Sequence, residues 1–350
     1  MNNALFHTPE GYKDVCQEDC MHKQALERGL RDTFSSFGFD PVELPSVEFA
    51  SLYTGSSTSM ADEELYRFFD RDGKMLSLRP DFTPSIARCA AKYFMETKEP
   101  LRFSYLGNTF TNTSKLQGKL CETTQVGAEL INDASVEADA EMISLVIESL
   151  KNTGLKQFQV TIGQVEYFKG LCQEAGLDEE TEYDLRDCIS AKNYFAAQEL
   201  LEERNVQEPY RSVLLKTADL FGNPTSLSEA KALVRNERSL AAIERLEQLY
   251  EVLKLYGVEA YVSFDLGMLS KYNYYTGVIF KAYTFGVGDA VVKGGRYDNL
   301  VGQLGGEETP AVGFAMGMER LVSLFEKIPE QKLDGYVVSN YTQEAFILAQ

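Results

Sequence analysis

The sequence predicts an α+β fold: an antiparallel sheet flanked by helices and interrupted by a helical insertion. Three observations carry this expectation. Strand-like segments fill residues 40–131, apolar residues then recur at helical spacing from about 166 to 257, and strand signals return at 258–293. Strands on both sides of a helical block suit an antiparallel sheet with an insertion.

The elements follow in order. Residues 18–37 form an amphipathic helix with Leu26, Leu30, Phe34 and Phe37 on one stripe and Gly38 as its stop. FDPVELPSVEF is extended, because Pro41 and Pro45 forbid helix and suit an edge or interface strand. In LYRFFDRDGKMLSLR, Asp72-Gly73 predicts a two-residue hairpin turn. Thr83-Pro84 then offers an N-cap and a first-turn proline for a helix through SIARCAAKYF. Two strands are expected within 101–131, around the polar loop that opens with YLGNTFTNTS and reaches its first cation at Lys115. A helix follows at about 135–151, with Ile143, Val146, Ile147 and Leu150 at helical spacing and Gly154 beyond its end. QFQVTIG alternates Phe158, Val160 and Ile162 as a strand. The helical block closes with Ala242, Leu246, Leu249 and Leu253 and stops at Gly257. VEAYVSFDLG, YYTGVIFKAYTF and AVVKGG restore the strands, with a turn at Gly288-Asp289, and PAVGFAMGMERLVSLFE reads as a strand entering a helix. LDGYVVSNYTQEAFILAQ repeats that pattern. The expected division is a core over 1–325 with its insertion at about 166–257, then a short or truncated α/β segment over 326–350.

Composition narrows the function. A net charge of −19 and a pI near 4.7 oppose a phosphate backbone, which binds through Lys and Arg. No apolar run is long enough to span a bilayer, and no secretory signal is visible at the N-terminus. The 6 cysteines are scattered without a C-x-x-C pair, and the chain has 2 histidines, so reduced cytoplasmic thiols and no metal site are expected. Cys16-x-x-x-Cys20 reads as helix-face thiols rather than as ligands. Motifs of the P-loop, dinucleotide-binding, nucleophile-elbow and zinc-protease kinds are missing.

Several polar residues sit where chemistry is possible. Asp81 and Thr83, just beyond a strand end, fit either a cleft or helix capping. Gln125 and Glu129 are evenly spaced in a strand and so share one face, either a pocket or a solvent stripe. YNYYTG puts Tyr274 and Tyr275 beside a glycine, KGGRYDNLVGQLGG carries Arg296, and GFAMGMER ends on Arg320.

In this order and spacing, the segments resemble the catalytic core of the class II histidyl-tRNA synthetase family over roughly residues 7–325. ELPSVEF resembles the first class II motif, LRFSYLGNTF with TTQVGAEL the second and AVGFAMGMERL the third, while YYTGVIF and GGRYDNLVGQLGG resemble signatures of the histidyl family. The resemblance implies a class II synthetase-like sheet and a histidine pocket. Asp81, Thr83 and Gln125 would hold the α-amino group; Glu129 and Tyr275, with Tyr274 alongside, would hold the imidazole.

The implied adenylation machinery is incomplete. Thr111 and Thr113 stand where the second motif carries arginine and glutamate, Cys121 where its loop carries arginine, and Ser270, followed by Lys271, Tyr272 and Asn273, where an Arg-Gly-Leu-Asp string belongs. Stabilising charge at a reacting phosphate needs preorganised cations, each worth about 3 kcal/mol. Arg296 and Arg320 remain as possible pocket or phosphate contacts. A synthetase fold with these losses resembles the regulatory-subunit family of the short-form ATP phosphoribosyltransferases, which implies no catalysis and no cofactor of its own. It also implies a homodimer within a hetero-oligomer, a short catalytic subunit as partner, L-histidine as ligand, and neither tRNA nor membrane. The alternatives are a residual histidyl-type adenylating enzyme and a stand-alone amino-acid-binding paralogue.

Overall fold

The protein is described by a computed structural model covering residues 6–54, 61–113, 119–270 and 274–325. Lys115, residues 271–273 and the expected segment 326–350 lie outside the described residues.

The first helix, α1 (Gln17–Ser36), buries Leu26, Leu30 and Phe34, and Gly38 follows it at φ +77°. The proline-bearing stretch yields β1 (Asp40–Pro41) at a sheet edge and β2 (Val47–Phe49) in a separate three-stranded sheet with β3 (Arg67–Phe69) and β4 (Met75–Leu78). The turn between β3 and β4 is wider than two residues. Asp70 N–H pairs with Lys74 C=O at 3.0 Å, so residues 71–73 form the loop, and Gly73 takes the left-handed position at φ +77°.

After α2 (Thr83–Tyr93) come the long strands β5 (Leu101–Phe110) and β6 (Glu122–Ile131), then α3 (Val136–Asn152), capped by the Ser135 hydroxyl accepting from Ala138 N–H. β7 (Phe158–Gln164) leads into α4 (Val165–Glu174), α5 (Glu179–Ser190), α6 (Tyr194–Glu203), α7 (Tyr210–Lys216), the short β8 (Phe221–Gly222), α8 (Thr225–Leu233) and α9 (Glu237–Leu255). The described residues end with β9 (Val262–Asp265), β10 (Val278–Thr284), β11 (Val292–Arg296), α10 (Leu300–Gln303), β12 (Ala311–Gly317) and α11 (Met318–Leu324).

The nine-stranded sheet has the order β1-β5-β6-β12-β11-β10-β7-β9-β8. Its pairs are antiparallel as expected, except β1 with β5 and β7 with β9, which are parallel. A parallel pair needs a crossover connection, and the helical block from α4 to α9 is the crossover between β7 and β9. One face of the sheet is apolar: Val126, Ala128, Leu130, Phe314 and Met316 join α1, α3 and α9 in one continuous core. The other face carries Gln125, Gly127, Glu129, Gly313 and Gly295, and is where the candidate site lies.

An ionic hub joins sheet and helices. Asp139 of α3, fully buried, accepts from Arg296 Nε on β11 at 2.8 Å and from Arg245 of α9 at 2.6 and 2.9 Å. Arg296 also donates to Asp298 and to the carbonyls of Asp133 and Ser135, so all its N–H groups have partners. The expectation that Arg296 reaches a pocket or a phosphate is therefore corrected: its donors are committed to the fold. Removing one member of a buried ion pair strands the others at a cost of about 3–5 kcal/mol. Asp139→Asn should lose stability of that order in urea unfolding with an unchanged m value, and a loss below about 1 kcal/mol would contradict the hub.

Candidate ligand-binding site

Alternation along β6 puts Gln125, Gly127 and Glu129 on one face. Across the ladders, Glu129 faces Gly313 on β12 and Phe103 on β5, while Gly127 faces Ala315 and Tyr105. Gly313 is required here by space. A Cβ on it would lie 1.4 Å from Glu129 Oε2, so the carboxylate lies where a side chain would otherwise sit.

Glu129 is wholly buried and doubly satisfied. Its Oε1 accepts from the Thr83 hydroxyl at 2.9 Å and its Oε2 from the Tyr297 hydroxyl at 2.6 Å. Burial pushes its pKa up to about 8; the two hydroxyls oppose that rise and the nearby Asp81 adds to it. Asp81 is raised too, chiefly by burial, although it accepts from the backbone N–H groups of Phe82 and Thr83 and from the Tyr274 side chain. Asp81 thus satisfies the first turn of α2, and the expected capping role of Thr83 is corrected: its hydroxyl serves Glu129 instead.

Around this pair the aromatic walls are set by close packing. Tyr274 and Tyr275 have ring centroids 4.7 Å apart, and Tyr274 meets Tyr297 edge-on at 6.1 Å. The Tyr275 ring passes close over Gly295, where a Cβ would come within 2.7 Å of it. Tyr105 stacks on Phe82 at 4.3 Å and occupies the space above Gly127. Gln125 lies farther along the same face, with its amide oxygen sheltered and without a hydrogen-bond partner among the described residues. An unsatisfied buried acceptor costs about 1–3 kcal/mol, which a ligand N–H would recover.

Asp81, Thr83, Glu129 and Tyr274 are therefore joined in one network, with Tyr275 against it and Gln125 on the same face. Tyr297 and Tyr105 are additions that sequence reasoning missed. Parity offered a signal for the first: Tyr297 lies two residues beyond Gly295, which pairs with Gly313 opposite Glu129.

The charge-poor positions assemble elsewhere, at the far end of β5 and β6. Thr111 N–H donates to Cys121 C=O at 2.8 Å, Thr113 Oγ1 lies 3.7 Å from Cys121 Sγ, and Cys121 N–H donates to Gly11 C=O at 2.8 Å. The Tyr66 side chain hydrogen-bonds the Cys121 thiol and lowers its pKa. Gly11, at φ +86°, sits so close that a Cβ would lie 2.5 Å from the sulfur. Ser270 is buried. Arg320, third in α11, donates to Ala290 C=O at 2.6 Å and pairs with Asp289 at 2.9 Å. Among the described residues no cluster of three His, Cys, Asp or Glu is placed to hold a metal, and no helix is long and apolar enough to cross a membrane.

With this geometry in view, the comparisons are decisive. The family model described as histidyl-tRNA synthetase matches residues 11–321. An ATP phosphoribosyltransferase regulatory subunit of Acetivibrio thermocellus is 40% identical over 92% of this chain and 77% of its own length. The chain belongs to the regulatory-subunit branch of the histidyl-tRNA synthetase family. The Ruminiclostridium cellulolyticum regulatory subunit is 38% identical over 93% of this chain and 78% of its own. A crystal structure of an ATP phosphoribosyltransferase regulatory subunit/histidyl-tRNA synthetase from Bacillus halodurans superposes with a TM-score of 0.85 at 33% identity, covering 92% of this chain and 84% of that one. The class II synthetase-like fold class is thereby established for this regulatory-subunit homologue.

Glu129 sets a pH dependence. Its folded pKa is raised, so between about 4.5 and about 8 the folded state keeps a proton that the unfolded state has lost. Stability from this group is therefore highest below its unfolded pKa and falls as pH rises, by up to about 1.4 kcal/mol per pH unit, levelling above about 8. Urea unfolding across pH 5–8 should show this fall, and Glu129→Gln should remove it; equal slopes in both proteins would refute the assignment. Gly313→Ala should destabilise the chain by overpacking, by about 1–3 kcal/mol.

Proposed function

We propose that this chain is the non-catalytic regulatory subunit of a short-form ATP phosphoribosyltransferase in histidine biosynthesis, and that its Glu129 pocket takes L-histidine. One juxtaposition carries the reading: a buried polar cluster of Asp81, Thr83, Glu129, Tyr274 and Tyr297 lies on the same sheet as a second-motif region whose expected arginine and glutamate positions hold Thr111 and Thr113. Thr111, Thr113 and Cys121 are bound to each other and to the Gly11 segment, so these three positions are occupied by neutral groups. Without the arginines of the second motif, a developing charge at a phosphate loses its bidentate clamp, which Lys119 does not replace in geometry, and neither adenylation nor tRNA charging is expected.

The pocket matches an amino acid with a basic ring. Asp81 and the Gln125 amide oxygen suit an ammonium group, while Glu129, flanked by the Tyr297 and Tyr275 phenols, suits an imidazole. The regulatory names of the relatives support a catalytic phosphoribosyltransferase partner, which the chain would activate and make responsive to histidine by binding two states of it unequally. A homodimer is supported by the small sheet, which leaves Val47, Phe49, Phe68, Phe69 and Met75 exposed. A cytoplasmic location fits its free cysteines.

Calorimetry with L-histidine, run in buffers of different ionisation enthalpy, tests the pocket. Because Glu129 is held largely protonated near neutral pH, its proton should pass to the mostly neutral imidazole of bound histidine. Proton release to the buffer should therefore be small near pH 7 and grow only below about pH 6.5. Glu129→Gln should weaken binding by roughly tenfold to a hundredfold. No binding at millimolar histidine, with feedback intact in the complex, would remove the pocket from the regulatory role. Mixing with a short catalytic phosphoribosyltransferase should give a complex with raised activity, and histidine-dependent ATP–pyrophosphate exchange at synthetase rates would overturn the non-catalytic reading.

A further inference from the structure

A cavity of about 660 Å³ lies over the other half of the sheet. Its floor is formed by β7, β9, β10 and β11, and its roof by the ends of α5, α6 and β8. Tyr275 and Ser270 border it, so it adjoins the Glu129 site, but Asp81, Thr83, Gln125, Glu129 and Tyr297 take no part in its lining. The volume falls in the range of small-molecule sites.

Its charge arrangement is costly without a ligand. Lys281 of β10 and Lys293 of β11 are direct cross-strand partners, and both line the cavity. Like charges placed opposite one another destabilise a sheet. Lys293 shares its charge with Asp289 at 3.1 Å, whereas Lys281 makes no ion pair among the described residues. Burial and Lys293 lower the Lys281 pKa, against the weaker pull of Asp289 and Asp265. A third lysine, Lys192, lines the cavity from just beyond α5 in the left-handed conformation, at φ +56°. Glycine is favoured at such a helix end, so a lysine kept there is a strained choice. Asp265 and Asp219 also line the cavity, Asp265 already accepting from Gly267 N–H at 2.9 Å. At the rim, Phe221 is 66% exposed and Tyr194 43% exposed, leaving flat aromatic surface to solvent.

We propose that this cavity is a second ligand site, for a small phosphomonoester whose phosphate bridges Lys281 and Lys293 while its flat body lies against the aromatic rim. A phosphate carries about −1.5 to −2 at neutral pH, which matches two adjacent ammonium groups better than a carboxylate does. The assignment makes no use of the Glu129 carboxylate, although Tyr275 borders both sites.

Titration of the full chain with phenyl phosphate tests it, with inorganic phosphate and benzoate as companions. Phenyl phosphate should bind, and more tightly than either. Lys281→Met should weaken it about tenfold, the loss of one charged contact, yet raise Tm because the lysine repulsion is relieved. Lys192→Gly should raise Tm as well, while weakening binding severalfold. Glu129→Gln should leave phenyl phosphate affinity unchanged. No binding at about 10 mM, equal affinity for benzoate or inorganic phosphate, unchanged affinity in Lys281→Met, or loss of binding in Glu129→Gln would each overturn the proposal.

Discussion

Asp139 has no exposed surface, and two guanidinium groups from distant parts of the chain converge on it. Arg245 brings the last helix of the inserted block; Arg296 brings the end of β11. In a low-dielectric interior such a charge persists only if its partners stay in place, so the hub sets how α3, α9 and the sheet meet. Its influence reaches the pocket through one covalent step. Tyr297 follows Arg296, its N–H is held by Ala311 C=O at 2.7 Å, and its hydroxyl is thereby delivered to Glu129.

The sheet divides its labour by face. On one side, branched and aromatic residues make a continuous core with the helices. On the other, glycines at 127, 295 and 313 remove side chains so that Tyr105, Tyr275 and the Glu129 carboxylate can lie close against the backbone. Space that ordinary side chains would fill is thus given to polar groups, and the site is preorganised by what is missing from the strands as much as by what they carry.

Two regions with opposite chemistry follow. Around Glu129, carboxylates, hydroxyls and phenols are hydrogen-bonded to one another in a buried cluster, which is where histidine is proposed to bind. Around Cys121, hydroxyl, thiol and backbone groups satisfy one another. A chain that binds and does not react can still act on a partner, provided that binding differs between the partner's states. That is the physical content of a regulatory subunit.

Much of this was legible from residue order alone. Helix stripes, the existence of two strands within 101–131, and the even spacing of Gln125 and Glu129 depend on local periodicity, which a sequence displays directly, although YLGNTF, expected to open the loop, proved to be the end of β5. The lack of charge at Thr111, Thr113 and Cys121 was equally plain, since it needs no geometry to be noticed. What tertiary structure alone decided was who pairs with whom. Thr83 could cap a helix or serve a carboxylate, and the arrival of Glu129 from β6 settled it. Arg296 could face a phosphate or a buried aspartate, and the distance of 157 residues to Asp139 hid the answer. Tyr297 was passed over because its partner lies 168 residues away. Periodicity is a property of neighbours along the chain, whereas hydrogen bonds and ion pairs between buried groups are fixed only once folding has brought remote segments to within 3 Å of each other.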